Sequence, residues 1–134
     1  MRKCKNCDNE VKSSHLRVQF CSPKCQQNHS KSLKIEQWLN GEISGMKKGA
    51  RIINSVRNYI LERANHQCEV CSWNKINPAT GKSPLEINHI DGDAGNNRPE
   101  NLQVICPNCH ALTPTWKALN KGKGNKERLR YSKL

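Results

Sequence analysis

The eight cysteines of this chain fall into two quartets, Cys4/Cys7 with Cys21/Cys25 and Cys68/Cys71 with Cys106/Cys109. A tetrahedral Zn²⁺ takes four thiolates, and a Cys-x₂-Cys turn presents two of them on one short knuckle. The second pair of each quartet supplies the remaining ligands, so the stretch between is pinned at both ends. Four disulfides of a secreted protein would use the same residues. No leader-like apolar run stands before Cys4, so the expectation is two structural zincs in a reducing, cytoplasmic compartment.

Composition strengthens this reading. Of 134 residues, 34% are hydrophobic and 4% aromatic, which is thin for a self-sufficient core. Small domains of this kind draw stability from metal, so zinc binding is expected to be part of the folding free energy. Residues 1–50 hold ten Lys/Arg against four Asp/Glu, and residues 51–134 hold thirteen against seven. The formal charge of +12 is thus spread evenly along the chain. Such a balance favours a polyanion, most simply nucleic acid, over a surface charged only for solubility. No segment has the length and apolarity of a membrane span, and no heptad seam argues against a monomer.

Local patterns divide the chain into four parts. Residues 1–30 form a Cys₄ zinc module. Within it Phe20–Cys25 reads as a strand entering a turn and a short helix, with Ser22 as N-cap and Pro23 at the first helical position. Residues 31–50 comprise a helix with Leu33, Ile35, Trp38 and Leu39 on one side, then a flexible basic linker rich in glycine. Residues 51–120 open on a helix over 51–65, where Ile52, Ile53, Val56, Ile60 and Ala64 recur at helical spacing and Arg51, Arg57 and Arg63 lie off that face. Turn chemistry follows at 72–84, then a strand at 85–90, a polar loop from Asp91 to Asn97, a strand at 102–105, and a helix from Pro107 carrying Cys109 and His110. Residues 121–134 are a basic tail.

Strand, loop, strand and helix, closed by four cysteines, form a frame for phosphodiester hydrolysis. That reaction needs a base for water, a cation for the phosphate and leaving oxygen, and rigidity. His89 suits the base, because an imidazole titrates near neutral pH. His110 and the amide oxygen of Asn88 suit a divalent cation with open positions. Neighbours on a regular strand point to opposite faces. Asn88 and His89 can share a site only if the strand ends there, as the Asp91-Gly92 turn permits.

The stretch LEINHIDGDAGNNRPENLQVICPNCH resembles the HNH endonuclease motif, the ββα-metal finger, and the flanking Cys-x₂-Cys pairs resemble its zinc-stapled branch. The wider pattern is similar to small freestanding HNH endonucleases of bacteriophages. It includes Trp38-Leu39-Asn40-Gly41, Asn58-Tyr59-Ile60-Leu61 and Cys109-His110-Ala111-Leu112-Thr113-Pro114, and it covers roughly residues 32–118. The resemblance implies a small α+β fold, a ββα-metal HNH domain preceded by the Cys₄ module and a helical linker. It implies that His89 is the general base, that Asn101 bridges backbone groups and holds the loop orienting His89, and that His110 binds the catalytic cation, Mg²⁺ or another divalent ion. The residue before the base is normally Asp or His; here it is Asn88, an amide that coordinates metal but brings no charge.

DNA is the implied partner. Arg98, Lys117, Lys121 and Lys123 are candidate contacts, and the first zinc module, with Arg2, Lys3 and Lys5, is a docking element or a structural cap. Asp91 or Asp93 would be the source of a missing charge delivered through water. Trp73 and Trp116 are expected to pack on the core or touch DNA. His15 and His29 are alternative ligands of the first zinc. The competing reading is a non-catalytic zinc-finger nucleic-acid-binding protein with a degenerate HNH site.

Overall fold

Ser22 and Pro23 open the longest element of the structure, a computed structural model that describes residues 1–47 and 51–120. Helix α1 spans Pro23–Leu39. The Ser22 hydroxyl accepts from the Cys25 amide at 3.2 Å, and Pro23 occupies a position whose N–H would be unpaired anyway. One unbroken helix thus replaces the short helix and second helix read from the sequence, and it crosses from residue 30 to 31 without a break. Cys25 of the first quartet lies in its first turn and buried Trp38 in its last. Its expected apolar face is narrower than the pattern suggests. Ile35 packs on the core, whereas Leu33 and Leu39 are exposed.

The glycine-rich segment read as a flexible linker is folded over its described residues. Strand β1 (Met46–Lys47) pairs antiparallel with β2 (Arg51–Ile52), Met46 opposite Ile52 and Lys47 opposite Arg51. Gly45 has φ +76, and a Cβ there would stand 2.8 Å from Trp38 Cδ1. The glycine therefore serves a close approach to the indole rather than flexibility. Ile43 packs on the same cluster.

Helix α2 (Asn54–Arg63) is shorter than the expected 51–65 because β2 takes the first residues. Val56 and Ile60 are fully buried, as their spacing predicts. Strands β3 (Glu86–His89) and β4 (Leu102–Ile105) pair antiparallel, and helix α3 (Pro107–Ala111) follows β4 directly. Single turns of 3₁₀ helix cover Pro99–Asn101 and Lys117–Asn120. Residues 20–21, read as the end of a strand, carry none.

Trp38, Val56, Ile60, Cys68, Leu85, Leu102, Val104, Ile105 and Cys106 make one buried cluster. Two thiols of the second quartet are therefore core residues, and α1 shares that core with the ββα segment. The first quartet has a smaller centre of its own, around buried Cys4 and Val11. There the Arg2 guanidinium donates to the carbonyls of Ser13, His15 and Val18. Arg2 is thus occupied in holding the module together, not free to meet phosphate.

Truncating Trp38 to alanine removes an aromatic from a packed site and should cost about 3–5 kcal/mol. Urea denaturation of the zinc-loaded variant checks this. The expected result is a lowered midpoint for the whole cooperative transition, not for a separate N-terminal phase.

Candidate active and metal sites

Each cysteine quartet brings its four Sγ atoms within 4.8 Å of one another. Separations are 3.6 Å for Cys7–Cys21 and Cys7–Cys25, 3.4 Å for Cys21–Cys25 and 3.7 Å for Cys71–Cys106. A tetrahedral zinc with bonds of about 2.3 Å sets sulfurs about 3.8 Å apart, whereas a disulfide needs about 2.05 Å. All eight cysteines are free, and the quartets fit zinc. His15 and His29 belong to neither quartet; His29 stacks on Phe20 with ring centroids 5.2 Å apart.

Electrostatics within the quartets agree. Burial raises the Cys4 thiol, but the amides of Cys21, Asn6 and Cys7 outweigh it and bring it to about 6. Cys68 is lowered to about 6 in the same way, against burial, by the amides of Cys106, Cys71 and Val70. Cys21 is pushed up to about 12 by its bonds to the Cys25 and Cys7 thiols, and Cys109 to about 12 by Cys71 and Cys106. Four crowded sulfurs cannot all ionise without a cation among them.

The second quartet builds the frame of the catalytic candidates. The Cys68–Cys71 knuckle is stitched to β4 by Glu69, whose amide donates to the Val104 carbonyl at 2.9 Å and whose carboxylate accepts from the Val104 amide at 2.6 Å. Cys106 caps α3, with Pro107 at its first position. Cys109 and His110 are then fixed one after the other.

Asn88, His89 and His110 line a single open cavity of about 540 Å³. The geometric objection to Asn88 and His89 is met because β3 ends at His89. The chain turns at once, the Gly92 amide donating to the His89 carbonyl at 2.9 Å with Gly92 at φ +77. His89 Nε2 lies 2.7 Å from Asn97 Oδ1. The Asn97 nitrogen already donates to the Ala94 carbonyl at 3.3 Å, so its oxygen faces the ring and accepts. The proton therefore sits on Nε2, leaving the Nδ1 lone pair as the basic site. Asn97 is itself buried, and its carbonyl accepts from Trp38 Nε1 at 2.6 Å.

Asn101 bridges the loop as its place in the motif implies. Its oxygen accepts from the Asp91 amide at 3.0 Å, and its nitrogen donates to Asp91 Oδ1 at 2.9 Å and to the Asn96 carbonyl at 2.8 Å. Its backbone carbonyl accepts from Ile90 at 2.9 Å. Burial acts to raise the Asp91 carboxyl, but bonds from Asn96, the Asp93 amide and Asn101, with His89 nearby, hold it below the usual carboxylate range. Its contribution to stability is present above the ordinary Asp range and lost as pH falls through the lowered value. Asp91 is thus committed to the loop. Neither it nor Asp93 lines the cavity.

His110 Nδ1 pairs with the Glu86 carboxylate, which leaves Nε2 as the ring's ligand atom. Asn88 is buried, and its amide makes no hydrogen bond to a described residue. An amide oxygen and an imidazole nitrogen with unused lone pairs fit a divalent cation that keeps several positions for water and phosphate. The donor set carries no charge of its own, and the cavity lining contains no carboxylate among the described residues.

Other candidates lie elsewhere. Arg98 lines a separate cavity beside Trp38 and Asn97. Trp116 packs edge-on against His110 at 4.9 Å, and the Lys117 ammonium lies 4.9 Å over the same indole. Trp73 packs on the core. Lys121 and Lys123 lie outside the described residues. Sequence reasoning missed Asn97, Glu86, Lys47, Arg51 and Arg57. Glu86 had a signal, since it stands two residues before Asn88 and shares its strand face. Asn97 had none among several polar loop residues.

Residues 78–111 match the model of the HNH endonuclease family. The chain is 46% identical over 73 residues to the H-N-H endonuclease F-TflIV of Escherichia phage T5, covering 51% of this chain and 30% of that protein. It is 36% identical over 55 residues to the Zorya protein ZorE of Escherichia coli, covering 41% of this chain and 14% of that one. It thus spans less than a third of either curated relative. Among solved structures, the Type IV phosphorothioation-dependent restriction endonuclease ScoMcrA aligns with a TM-score of 0.43 and 24% identity, over 81% of this chain and 22% of that one.

Two zinc ions per chain are expected by native mass spectrometry. Because the ligands are thiolates, acidification or a strong chelator should release them, with loss of ellipticity in step with the second equivalent. For the base, ring ¹⁵N shifts should report the Nε2–H tautomer of His89. Asn97→Ala should mix the two tautomers while zinc content stays at two.

Proposed function

We propose, from the match of residues 78–111 to the model of the HNH endonuclease family, that this chain is a metal-dependent endonuclease hydrolysing DNA phosphodiester bonds. The observation that carries the reading is His89, held by Asn97 with its Nδ1 lone pair unused, in the cavity that also contains Asn88 and His110. Water between His89 and a phosphate would lose its proton to Nδ1 as its oxygen bonds to phosphorus and the bond to the 3′ oxygen breaks, the departing oxygen taking a proton from solvent water. The products would be 5′-phosphate and 3′-hydroxyl ends. Asn97 accepts the Nε2 proton throughout and, being an amide, cannot take it. The imidazolium formed is therefore stabilised in place.

Asn88 and His110 would hold a divalent cation, Mg²⁺ or a similar ion, which when bound neutralises the scissile phosphate and the departing oxygen. Glu86 fixes the His110 ring for that task. The two zinc quartets are structural, the Cys68 quartet setting the start of α3 and the Cys4 quartet the start of α1. The likeness to a phage enzyme supports a phage-encoded nuclease, and free thiols suit the reducing cytoplasm. No helix among the described residues is long and apolar enough to cross a membrane. One active site in a monomer cuts one strand per engagement. The second reading, a nucleic-acid-binding protein with a degenerate site, is favoured by one observation, the neutral Asn88.

Supercoiled plasmid with Mg²⁺ or Mn²⁺ separates these readings. His89→Ala should lower the rate by about 10²–10⁴-fold, and nicked circles should precede linear product. Wild-type protein that leaves plasmid intact at every divalent ion tried, yet still binds it, would establish the second reading. Asn88→Asp adds a charge to the donor set and should raise Mg²⁺-dependent cleavage. Unchanged or reduced cleavage would remove Asn88 from the ligands.

A further inference from the structure

The β1–β2 hairpin and the first turn of α2 form one wall of the cavity containing His89 and His110. Lys47, Arg51 and Arg57 line it from three successive elements. We infer that these three side chains form a phosphate cradle that grips the DNA strand beside the bond to be cut. The inference rests on the nuclease reading and assigns that site its hold on the substrate.

Three observations carry it. First, no carboxylate stands among the lining residues, and none of the three cations makes an ion pair or side-chain hydrogen bond to a described residue. Arg63, on the same helix, differs: it donates to the carbonyls of Pro99 and Leu102 at 3.0 and 2.7 Å and is a structural residue. Second, Lys47 and Arg51 are direct partners across the two-stranded ladder. Like charges placed opposite each other destabilise a strand pair, and an anion between them reverses the sign. Third, Ile53 gives α2 no side-chain cap, and its first turn has no acidic residue. The positive end of that ten-residue helix therefore faces the same wall unneutralised, with Asn54 and Arg57 in the lining.

Guanidinium and ammonium groups recognise phosphate oxygens, not base edges, so the cradle contributes affinity and register but no sequence choice. Its placement explains how a cavity with an uncharged metal donor set still draws in a polyanion.

The test uses zinc-loaded full chain in a His89→Ala background, so that DNA stays intact, with a short duplex and no divalent ion. Affinity is measured against salt concentration for Arg51→Ala/Arg57→Ala and for a control pair on exposed α1, Lys31→Ala/Lys34→Ala. Each lost phosphate contact lowers the slope of log affinity against log salt by about 0.9, so the arginine pair should lower it by about 2. Affinity should fall about ten-fold or more at moderate salt, and Arg51→Lys/Arg57→Lys should restore most of it. Circular dichroism and zinc content establish that each variant is folded. An unchanged slope for the arginine pair, or an equal drop for the α1 pair, overturns the cradle. Where His89-containing protein cleaves no DNA but the slope still falls by two, the nuclease reading fails and the cradle stands. Where it cleaves and the arginine pair cleaves as fast with the same salt dependence, the cradle fails alone.

Discussion

Four thiolates at Cys68, Cys71, Cys106 and Cys109 are the constraint on which the rest of this fold rests. The two-stranded β3–β4 ladder is too small to stand alone, and α3 is a five-residue helix. Isolated, a hairpin of that size is marginal in water and so short a helix would not form. Joined at one point, they are fixed relative to α2 and to each other. Cys68 and Cys106 lie inside the hydrophobic cluster, so the knot of four sulfurs and the apolar core are one object. The small content of aromatic and aliphatic residues then ceases to be a deficit.

On that base sits a polar scaffold that is nearly complete in its hydrogen bonding. Asp91, Asn96, Asn97 and Asn101 exchange bonds among themselves and with the backbone between β3 and β4. Asn97 accepts one bond from His89 on its side-chain oxygen and one from Trp38 on its backbone carbonyl. The His89 imidazole is therefore oriented by a buried amide, and that amide is oriented by the core. Asn101, the middle residue of the motif, acts at one remove, by closing the loop on which Asn97 is carried.

Much of this was legible in the residues and some was not, for identifiable reasons. The span of β4, the start of α3 at Pro107 and both quartets follow from short-range chemistry: alternation, a proline at the first helical position, and cysteine spacing. The buried stripe of α2 follows from its period. The 41–50 segment reads as a flexible linker because glycine signals both mobility and close packing, and over the described residues 41–47 only the position of Trp38 decides between them. The basic wall was missed for a related reason. Arg51, Arg57 and Arg63 look alike off an apolar face, yet one clamps carbonyls across the core and two point to a cavity made by strands far along the chain. Side chains that act across long sequence separations leave no periodic trace.

The single polar atom of the Trp38 indole is spent on the carbonyl of Asn97. That bond ties the amino-terminal cysteine module, through α1, to the loop residue that holds the His89 imidazole. Replacing the front third of the chain with a foreign segment would leave the Asn97 carbonyl without its donor and loosen the hold on His89. A chimera would have to bring its own tryptophan, and its own glycine to seat it.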